Sequence, residues 1–272
     1  MSNLRIIADN AADRSALTAS TTSGVLTASN LLVDKKSQVW RATGTTATLT
    51  GTYTATESAM GSALLGNFSP TATIRVRLYS DTAGTTLVLD TGTVLACPAA
   101  AISLRGWTAA QSASAYAYGG GAFARIWFPQ TSFQKFVIDI VDTSNLQGYI
   151  EAARLIVGNY WSPTYNTPTL TATNVDLATH YRTDAGDLMT DAGTIHKKVP
   201  IETEYMPASD RTALANILRG SRSYPIFLSV FPGNSDLELE RDHTVYGKRM
   251  SDSDVAVQMS ITYGTKIEVE SI

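Results

Sequence analysis

The sequence predicts an all-β protein with one short helix, divided into two domains. Thr, Ala, Ser and Gly are abundant and only 17% of the 272 residues are charged, a composition that favours short strands and tight turns over amphipathic helices. Several segments alternate apolar and polar side chains, which is the period of a half-buried strand. One segment near the C-terminus has the caps and apolar stripe of a helix.

The length sets the number of domains. At ordinary domain sizes, 272 residues form about two domains, each large enough to bury its own core. Pro163 and Pro168 follow Trp161 and discourage regular structure, as in an interdomain linker. We therefore expect one domain over residues 1–160 and a second over residues 161–272.

The strands of the first domain are recognised by their alternation. In Thr71–Tyr79, Ile74, Val76 and Leu78 alternate with polar or larger side chains, so one face is predicted to be buried. Asp81–Gly84 follows as a turn. Similar strand-like segments are TTLVLDTGTVL after that turn, Thr46–Tyr53, Ala122–Phe128 and Phe136–Val141. Their spacing of about ten residues with intervening turns is typical of a sandwich or jelly roll.

The second domain contains the clearest helix signal. Ser209 or Asp210 can cap a helix over Ser209–Arg219, and Gly220 can end it. One apolar stripe, the predicted helix core, is formed by Leu214, Ile217 and Leu218. The segments after the helix, PIFLSVFP, HTVYGKRMS, VAVQMSITYG and TKIEVESI, are strand-like. The second domain is therefore predicted to be a β-domain with a single packed helix.

Charge and cysteine content exclude several classes of function. A net charge of −3 and a pI near 5.6 give no basic face for neutralising nucleic-acid phosphates. Cys97 is the only cysteine, which excludes an intrachain disulfide and a cysteine-rich zinc site and suits a reducing cytoplasm. We expect it to be a buried apolar residue. The sequence shows neither a signal-peptide pattern nor about 18 consecutive apolar residues, so we expect no signal-directed export and no membrane anchoring.

No catalytic or metal-binding constellation is recognisable. The three histidines are isolated in sequence, at His180, His196 and His243. Three aspartates in YRTDAGDLMTDAGT match no calcium loop and are expected to lie on a solvated hairpin: Asp184, Asp187 and Asp191. No nucleophile elbow is present, and no two carboxylates stand out as a glycosidase pair. We therefore expect a protein that is not an enzyme, with no cofactor and no metal.

Three segments of the first domain carry a family resemblance: Asn67–Ser80, NFSPTATIRVRLYS; an early strand at Val39–Ala42, VWRA; and a later segment within Phe136–Gly158. On these segments the first domain resembles the galactose-binding-like, or discoidin-type, jelly roll found in many phage structural proteins. The motif residues of that later segment, which closes the sandwich in the family, are Asp142, Asn145, Gly148, Ile150, Arg154, Leu155 and Gly158. The resemblance covers about residues 1–160 and implies the fold more strongly than sugar binding.

Sugar binding by this jelly roll would use aromatic side chains. The candidates for stacking on a pyranose ring are Trp107, Tyr116, Tyr118 and Trp127. Aromatic residues of a sandwich also pack the core or an interface, so both roles stay open. A carbohydrate-binding module that recognises host surface glycans is the alternative function.

The second domain has a strand, helix and strand in KKVPIETEYMPASDRTALANILRGSRSYPIFLSVFP, followed by VYGKRMSDSDVAVQMSITYGTKIEVES. On these segments it is similar to the tube-type domain of distal tail and tail-tip proteins of long-tailed, non-contractile bacteriophages. Here the accessory jelly roll precedes the tube-like domain, whereas in the family's commonest arrangement it follows.

This resemblance implies a structural virion protein at the phage tail end. The C-terminal domain would form a closed homo-oligomeric ring, a hexamer or trimer, with the jelly roll outside it. The expected partners are the tail tube protein and other tail-tip, baseplate or fibre proteins, with DNA only in transit through the channel. The protein would be assembled in the host bacterial cytoplasm. A glycan-cleaving enzyme is a third and weaker hypothesis.

A channel that passes DNA needs acidic or neutral walls. Three acidic residues at alternate positions in SDLELERD are candidates for facing it: Asp236, Glu238 and Glu240. An ordinary solvated acidic edge accounts equally well for this pattern.

Overall fold

A computed structural model describes residues 3–97, 123–166, 172–220, 224–233, 239–250, 255–258 and 262–272. The chain divides into two compact units, which we call the first unit (Met1–Pro163 with Ile226–Thr244) and the second unit (Thr164–Pro225 with Val245–Ile272). Both are built mainly from antiparallel strands, so the prediction of an all-β protein is confirmed. Within the described ranges, no helix is long and apolar enough to cross a membrane.

The elements follow one another in this order. The strands are β1 (Arg5–Ile7), β2 (Ala16–Ala19), β3 (Trp40–Arg41), β4 (Thr46–Gly66), β5 (Thr73–Tyr79), β6 (Leu87–Asp90), β7 (Val94–Leu95), β8 (Phe123–Val141), β9 (Glu151–Gly158), β10 (Thr173–Asp176), β11 (Thr179–Arg182), β12 (Leu188–Asp191), β13 (Ile195–Met206), β14 (Ile226–Ser229), β15 (Thr244–Arg249), β16 (Val255–Gln258) and β17 (Thr262–Ser271). The α-helices are α1 (Ala208–Gly220) and the single turn α2 (Leu239–Asp242), and 3₁₀ turns lie at Ala11–Arg14 and Ala28–Leu32.

Two long strands organise the first unit into a jelly-roll sandwich. The hydrogen-bonded order is β3-β9-β4-β8-β5-β6, with β2 also on β4 and β7 also on β5. β4 pairs with β8 along most of its length, but the register shifts after Thr52 and after Ala59. The first half of β4 pairs with β2, whereas its second half pairs with β9. Such irregularities bend long strands, which suits the two packed layers of a sandwich.

The core of the first unit lies between these layers. In β5, Ile74, Val76 and Leu78 are buried, as their alternation predicted. Phe136 of β8 is completely buried, and a Cβ at Gly51 would lie 2.3 Å from its ring. Gly51 therefore makes the space that the phenyl ring fills. Burying one such side chain contributes about 1.5–3 kcal/mol.

Several predicted strands of the first unit are confirmed and prove longer than expected. Thr46–Tyr53 is the first part of the 21-residue β4. Of the predicted strand Ala122–Phe128, Ala122 lies outside the described residues, and the remainder belongs with Phe136–Val141 to the single strand β8. β9 lies within the segment that the jelly-roll resemblance assigns to closure, and it pairs with β4 and β3. In the sheet order β4 stands between β8 and β9, so these two consecutive strands do not form a hairpin.

The segment Ile226–Thr244 belongs to the first unit, unlike the continuous domain over 161–272 that we expected. β1 pairs antiparallel with β14, with Ile6 opposite Leu228. Ile6 also exchanges backbone hydrogen bonds of 2.9 and 2.8 Å with Trp161. This long-range pairing joins β14 to the N-terminal strand. The first division between the units lies after Pro163, three residues from the boundary at 160 that we expected.

The second unit is a sheet with one packed helix. β17 pairs with β13, β15 and β16, and β13 also pairs with β10. The helix α1 begins one residue before the predicted Ser209 and ends at Gly220. Leu214 and Leu218 are buried, whereas Ile217 is only half-buried. The helix therefore packs on a narrower stripe than the three-residue core that its sequence suggested.

Candidate functional site

Five of the predicted site residues lie outside the described residues. They are the aromatic candidates Trp107, Tyr116 and Tyr118 and the acidic candidates Asp236 and Glu238. Trp127 and Glu240 are described, and both lie in the first unit.

Trp127 packs against protein groups on several sides. Its Nε1 donates a 3.1 Å hydrogen bond to Glu240, and its ring meets Tyr160 edge-on at 5.4 Å between centroids. The Arg5 guanidinium lies 4.8 Å from the indole centroid. A Cβ at Gly61 would lie only 2.5 Å from the same ring. Trp127 therefore takes the packing role that we considered for aromatic residues, and it is not an open platform for a sugar.

Glu240 does not face a channel, because it is buried with only 6% of its surface exposed. One carboxylate oxygen accepts hydrogen bonds from Trp127 Nε1 and from Ser229 Oγ at 2.9 Å. The other oxygen accepts one from the Gly233 backbone at 3.0 Å. Arg125 Nε lies 3.1 Å away as an ion pair without hydrogen-bond alignment. Glu240 lies in the single helical turn α2.

The acidic and amide residues of the jelly-roll motif hold a loop. Asp142 accepts hydrogen bonds from the backbone and hydroxyl of Ser69 and from Asn145 Nδ2. Asn145 Nδ2 also donates to the Asn67 carbonyl at 2.8 Å. Gly148 has a φ of +75°, which favours glycine. These residues connect the end of β8 to the segment after β4, so their role here is structural.

Arg154 of the same motif is buried in an ion-pair cluster. Its two terminal nitrogens each lie 2.7 Å from a carboxylate oxygen of Asp13. Asp34 lies 2.9 Å from Arg154 Nη2. This arrangement joins β9 to the turns near the N-terminus, which again is a structural role.

The histidines and the acidic hairpin residues do not gather into a metal site. His180 Nδ1 lies 3.0 Å from Thr190 Oγ1, His196 pairs with Glu270 at 3.1 Å, and His243 Nδ1 lies 2.9 Å from a backbone carbonyl. No group of three metal-ligating side chains occurs among the residues that the structure describes.

The segment with the three aspartates is a hairpin, as predicted, and we call Thr179–Asp191 the hairpin arm. β11 and β12 pair only with each other among the described strands, with Tyr181 opposite Met189. All eight strand residues are exposed. Tyr181 and Met189 share one face, and Leu188 lies on the opposite face. The arm therefore presents apolar side chains to solvent on both faces.

A second feature of the second unit is an open groove of about 430 Å³, which we call the tyrosine groove. It is lined by Tyr165, Asn166, Glu204, Tyr205 and Thr262. Tyr165 and Tyr205 are 60% and 63% exposed. The groove thus combines two aromatic rings with a carboxylate, an amide and a hydroxyl group.

A bulge in β13 positions Glu204 and Tyr205. The register between β13 and β17 shifts between Thr203 and Met206, which leaves the two intervening residues outside the regular pairing. Tyr205 has a φ of +57°, and no other described non-glycine residue has a positive φ. Bulges of this kind redirect side chains, often beside functional sites. Here the bulge exposes Tyr205 while Met206 remains buried.

The tyrosine groove was not predicted from the sequence. The available signal was a break in alternation: Val199, Ile201 and Thr203 lie two residues apart, whereas the next buried residue, the apolar Met206, follows Thr203 by three. That break marks a bulge, but it does not show that Tyr165 reaches the same place from a distant part of the chain.

No protein-family model and no curated protein matches the sequence. Solved structures similar in fold include CpGH89CBM32-5 from Clostridium perfringens in complex with GalNAc-β-1,3-galactose, at 11% identity over 55% of this chain and 99% of that one, with a TM-score of 0.39. Chitosan-binding module 1 from a Paenibacillus sp. IK-5 chitosanase/glucanase is 12% identical over 55% of this chain and 98% of that one, with a TM-score of 0.40.

A third similar structure is the family 32 carbohydrate-binding module of C. perfringens NanJ in complex with galactose. It is 13% identical over 58% of this chain and 99% of that one, with a TM-score of 0.38. With TM-scores below 0.5, these similarities carry no conclusion about this chain.

Proposed function

We propose that the protein is a non-enzymatic structural component of a bacteriophage tail end. It assembles into a homo-oligomeric ring that joins the tail tube to tip, baseplate or receptor-binding components. The phage assignment rests on the sequence resemblance. The observation that supports self-assembly is the hairpin arm, whose strand residues are all exposed.

The physical chemistry of the arm favours a partner. An isolated two-stranded hairpin is marginally stable in water, and this one exposes Tyr181, Leu188 and Met189. Fully burying one large apolar side chain contributes about 1.5–3 kcal/mol. The arm is therefore stabilised when it packs against another chain.

A second copy of the same chain is the partner that suits a ring. In a head-to-tail contact, each copy donates one arm and receives another, and a suitable rotation closes the series. Every arm is then covered without a second type of subunit. The ring is proposed to contain three or six copies.

Light scattering of the purified full chain tests this proposal. The wild type is expected to have three or six times the monomer mass of 29.1 kDa. The double variant Tyr181→Ser/Met189→Ser removes apolar surface from one face of the arm and should shift the protein to monomer. Val25→Ser, at an exposed position of the first unit, is the matched control and should leave the assembly intact. A monomeric wild type, or a double variant that assembles normally, would contradict assembly through the arm.

Carbohydrate recognition is the second candidate function. The observation that favours it is the tyrosine groove, where exposed aromatic rings stand beside hydrogen-bonding side chains. A glycan array probed with the full chain tests this function directly. Retention of one class of glycan would support it, and failure to retain any glycan would overturn it.

A further inference from the structure

We infer that the tyrosine groove binds a pyranose sugar, with neutral and amino sugars preferred over acidic ones. The inference rests on carbohydrate recognition, the second candidate function, and is independent of ring assembly. It places the sugar site in the second unit, whereas the sequence suggested aromatic residues of the jelly roll.

The aromatic surface is the first support. Tyr165 and Tyr205 are both largely exposed, and both line the same groove. A pyranose presents C–H groups on its face and hydroxyl groups at its rim, so it can contact aromatic surface and polar groups together. The volume of about 430 Å³ lies within the roughly 300–1,000 Å³ of small-molecule sites.

Both tyrosine-bearing segments are held by the surrounding structure. Tyr205 adopts its left-handed conformation within the bulge between β13 and β17. On the other segment, the backbone N–H of Thr164 donates a 2.6 Å hydrogen bond to Asp210, a buried residue in the first turn of α1. Tyr165 therefore follows directly after an anchored residue. Such anchoring reduces the ordering that ligand binding would otherwise require.

The polar lining determines the class of sugar. Glu204, Asn166 and Thr262 supply carboxylate, amide and hydroxyl groups, all of which can hydrogen-bond sugar hydroxyls. Among these five described lining residues there is one carboxylate and no lysine or arginine. A carboxylate repels the acid group of a uronic or sialic acid and attracts a protonated amino sugar.

The experiment uses the full chain on an array of neutral, amino and acidic oligosaccharides, followed by calorimetric titration of the best-retained one. Tyr205→Asn removes the ring but keeps a residue that tolerates a positive φ. We expect it to weaken binding about tenfold or more through the loss of aromatic contact. Tyr224→Asn is the matched control, because Tyr224 is 68% exposed in the same unit but does not line the groove. It should leave affinity within about twofold of the wild type.

Two further variants complete the test. Tyr165→Ala removes the ring from the other segment and should also weaken binding, so the result does not depend on Tyr205 alone. Glu204→Gln should reduce the preference for amino over acidic sugars. If the wild type retains no glycan, carbohydrate recognition is overturned and the site with it. If a glycan binds with unchanged affinity to both tyrosine variants, the function stands and the assigned site is wrong.

Discussion

The buried Glu240 offers a quantitative test of how Ile226–Thr244 is held in the first unit. Glu240→Ala removes a carboxylate that accepts hydrogen bonds from Trp127, Ser229 and Gly233. It also leaves Arg125 as a charged side chain that is only 6% exposed and lacks its carboxylate partner. Breaking a buried pair in this way costs about 3–5 kcal/mol. We expect a loss of unfolding free energy within that range.

Urea unfolding followed by tryptophan fluorescence provides the assay. All four tryptophans, at positions 40, 107, 127 and 161, belong to the first unit, so their signal reports on that unit. Glu57→Ala is the control, because Glu57 pairs with Arg14 at 2.7 Å near the surface. It should change stability by less than about 1 kcal/mol.

The double variant Arg125→Met/Glu240→Leu separates loss of the pair from exposure of an unpaired charge. Replacing both charges with apolar side chains should recover much of the stability lost in Glu240→Ala. If Glu240→Ala lowers the unfolding free energy by less than about 1 kcal/mol, the reasoning is refuted, because Glu240 would then contribute no more than a carboxylate in a surface ion pair. A double variant as unstable as the single one would show that the unpaired arginine is not the cause.

Three further predictions concern the helix, the segment between the units and the cysteine. Leu214→Ala should destabilise the second unit by about 2–5 kcal/mol, measured by hydrogen exchange on β13 and β17. Ile217→Ala should destabilise it less, because Ile217 is only half-buried. Equal losses of stability below about 0.5 kcal/mol for both variants would contradict this packing. In limited digestion, chymotrypsin should cleave at the exposed Tyr165 sooner than at Tyr160, because the Tyr160 ring lies 4.4 Å from the Arg5 guanidinium. Faster cleavage at Tyr160 would contradict this prediction. Cys97 should resist iodoacetamide until the protein unfolds, because burial removes access and raises the pKa of its thiol; rapid labelling of the native protein would show otherwise.

Local sequence patterns predicted the parts of the fold that depend on neighbouring residues. The alternation in Thr71–Tyr79 predicted the buried face of β5, and a cap, an apolar stripe and Gly220 predicted α1. Composition and local turns were sufficient for the all-β class. These features are recognisable because the period of two and the period of 3.6 are properties of the local backbone.

Features that depend on distant contacts were missed or misplaced. Nothing in the local sequence of Ile226–Ser229 identifies β1 as its partner, because the two strands lie far apart in the sequence. Glu240 appeared as one of three alternating carboxylates, yet its hydrogen-bond partners come from separate segments and bury it. The tyrosine groove likewise joins residues 165, 204, 205 and 262. The positions of Glu240 and of the groove residues are therefore set by long-range contacts, which a local sequence pattern does not show.

Cryo-electron microscopy of the proposed tail particle tests ring assembly most directly. We expect a closed ring of three or six copies built by the second units, with hairpin arms between neighbouring copies, a neutral or acidic channel wall and jelly rolls on the outside. A single copy in the particle, or a channel lined by lysine and arginine, would contradict it.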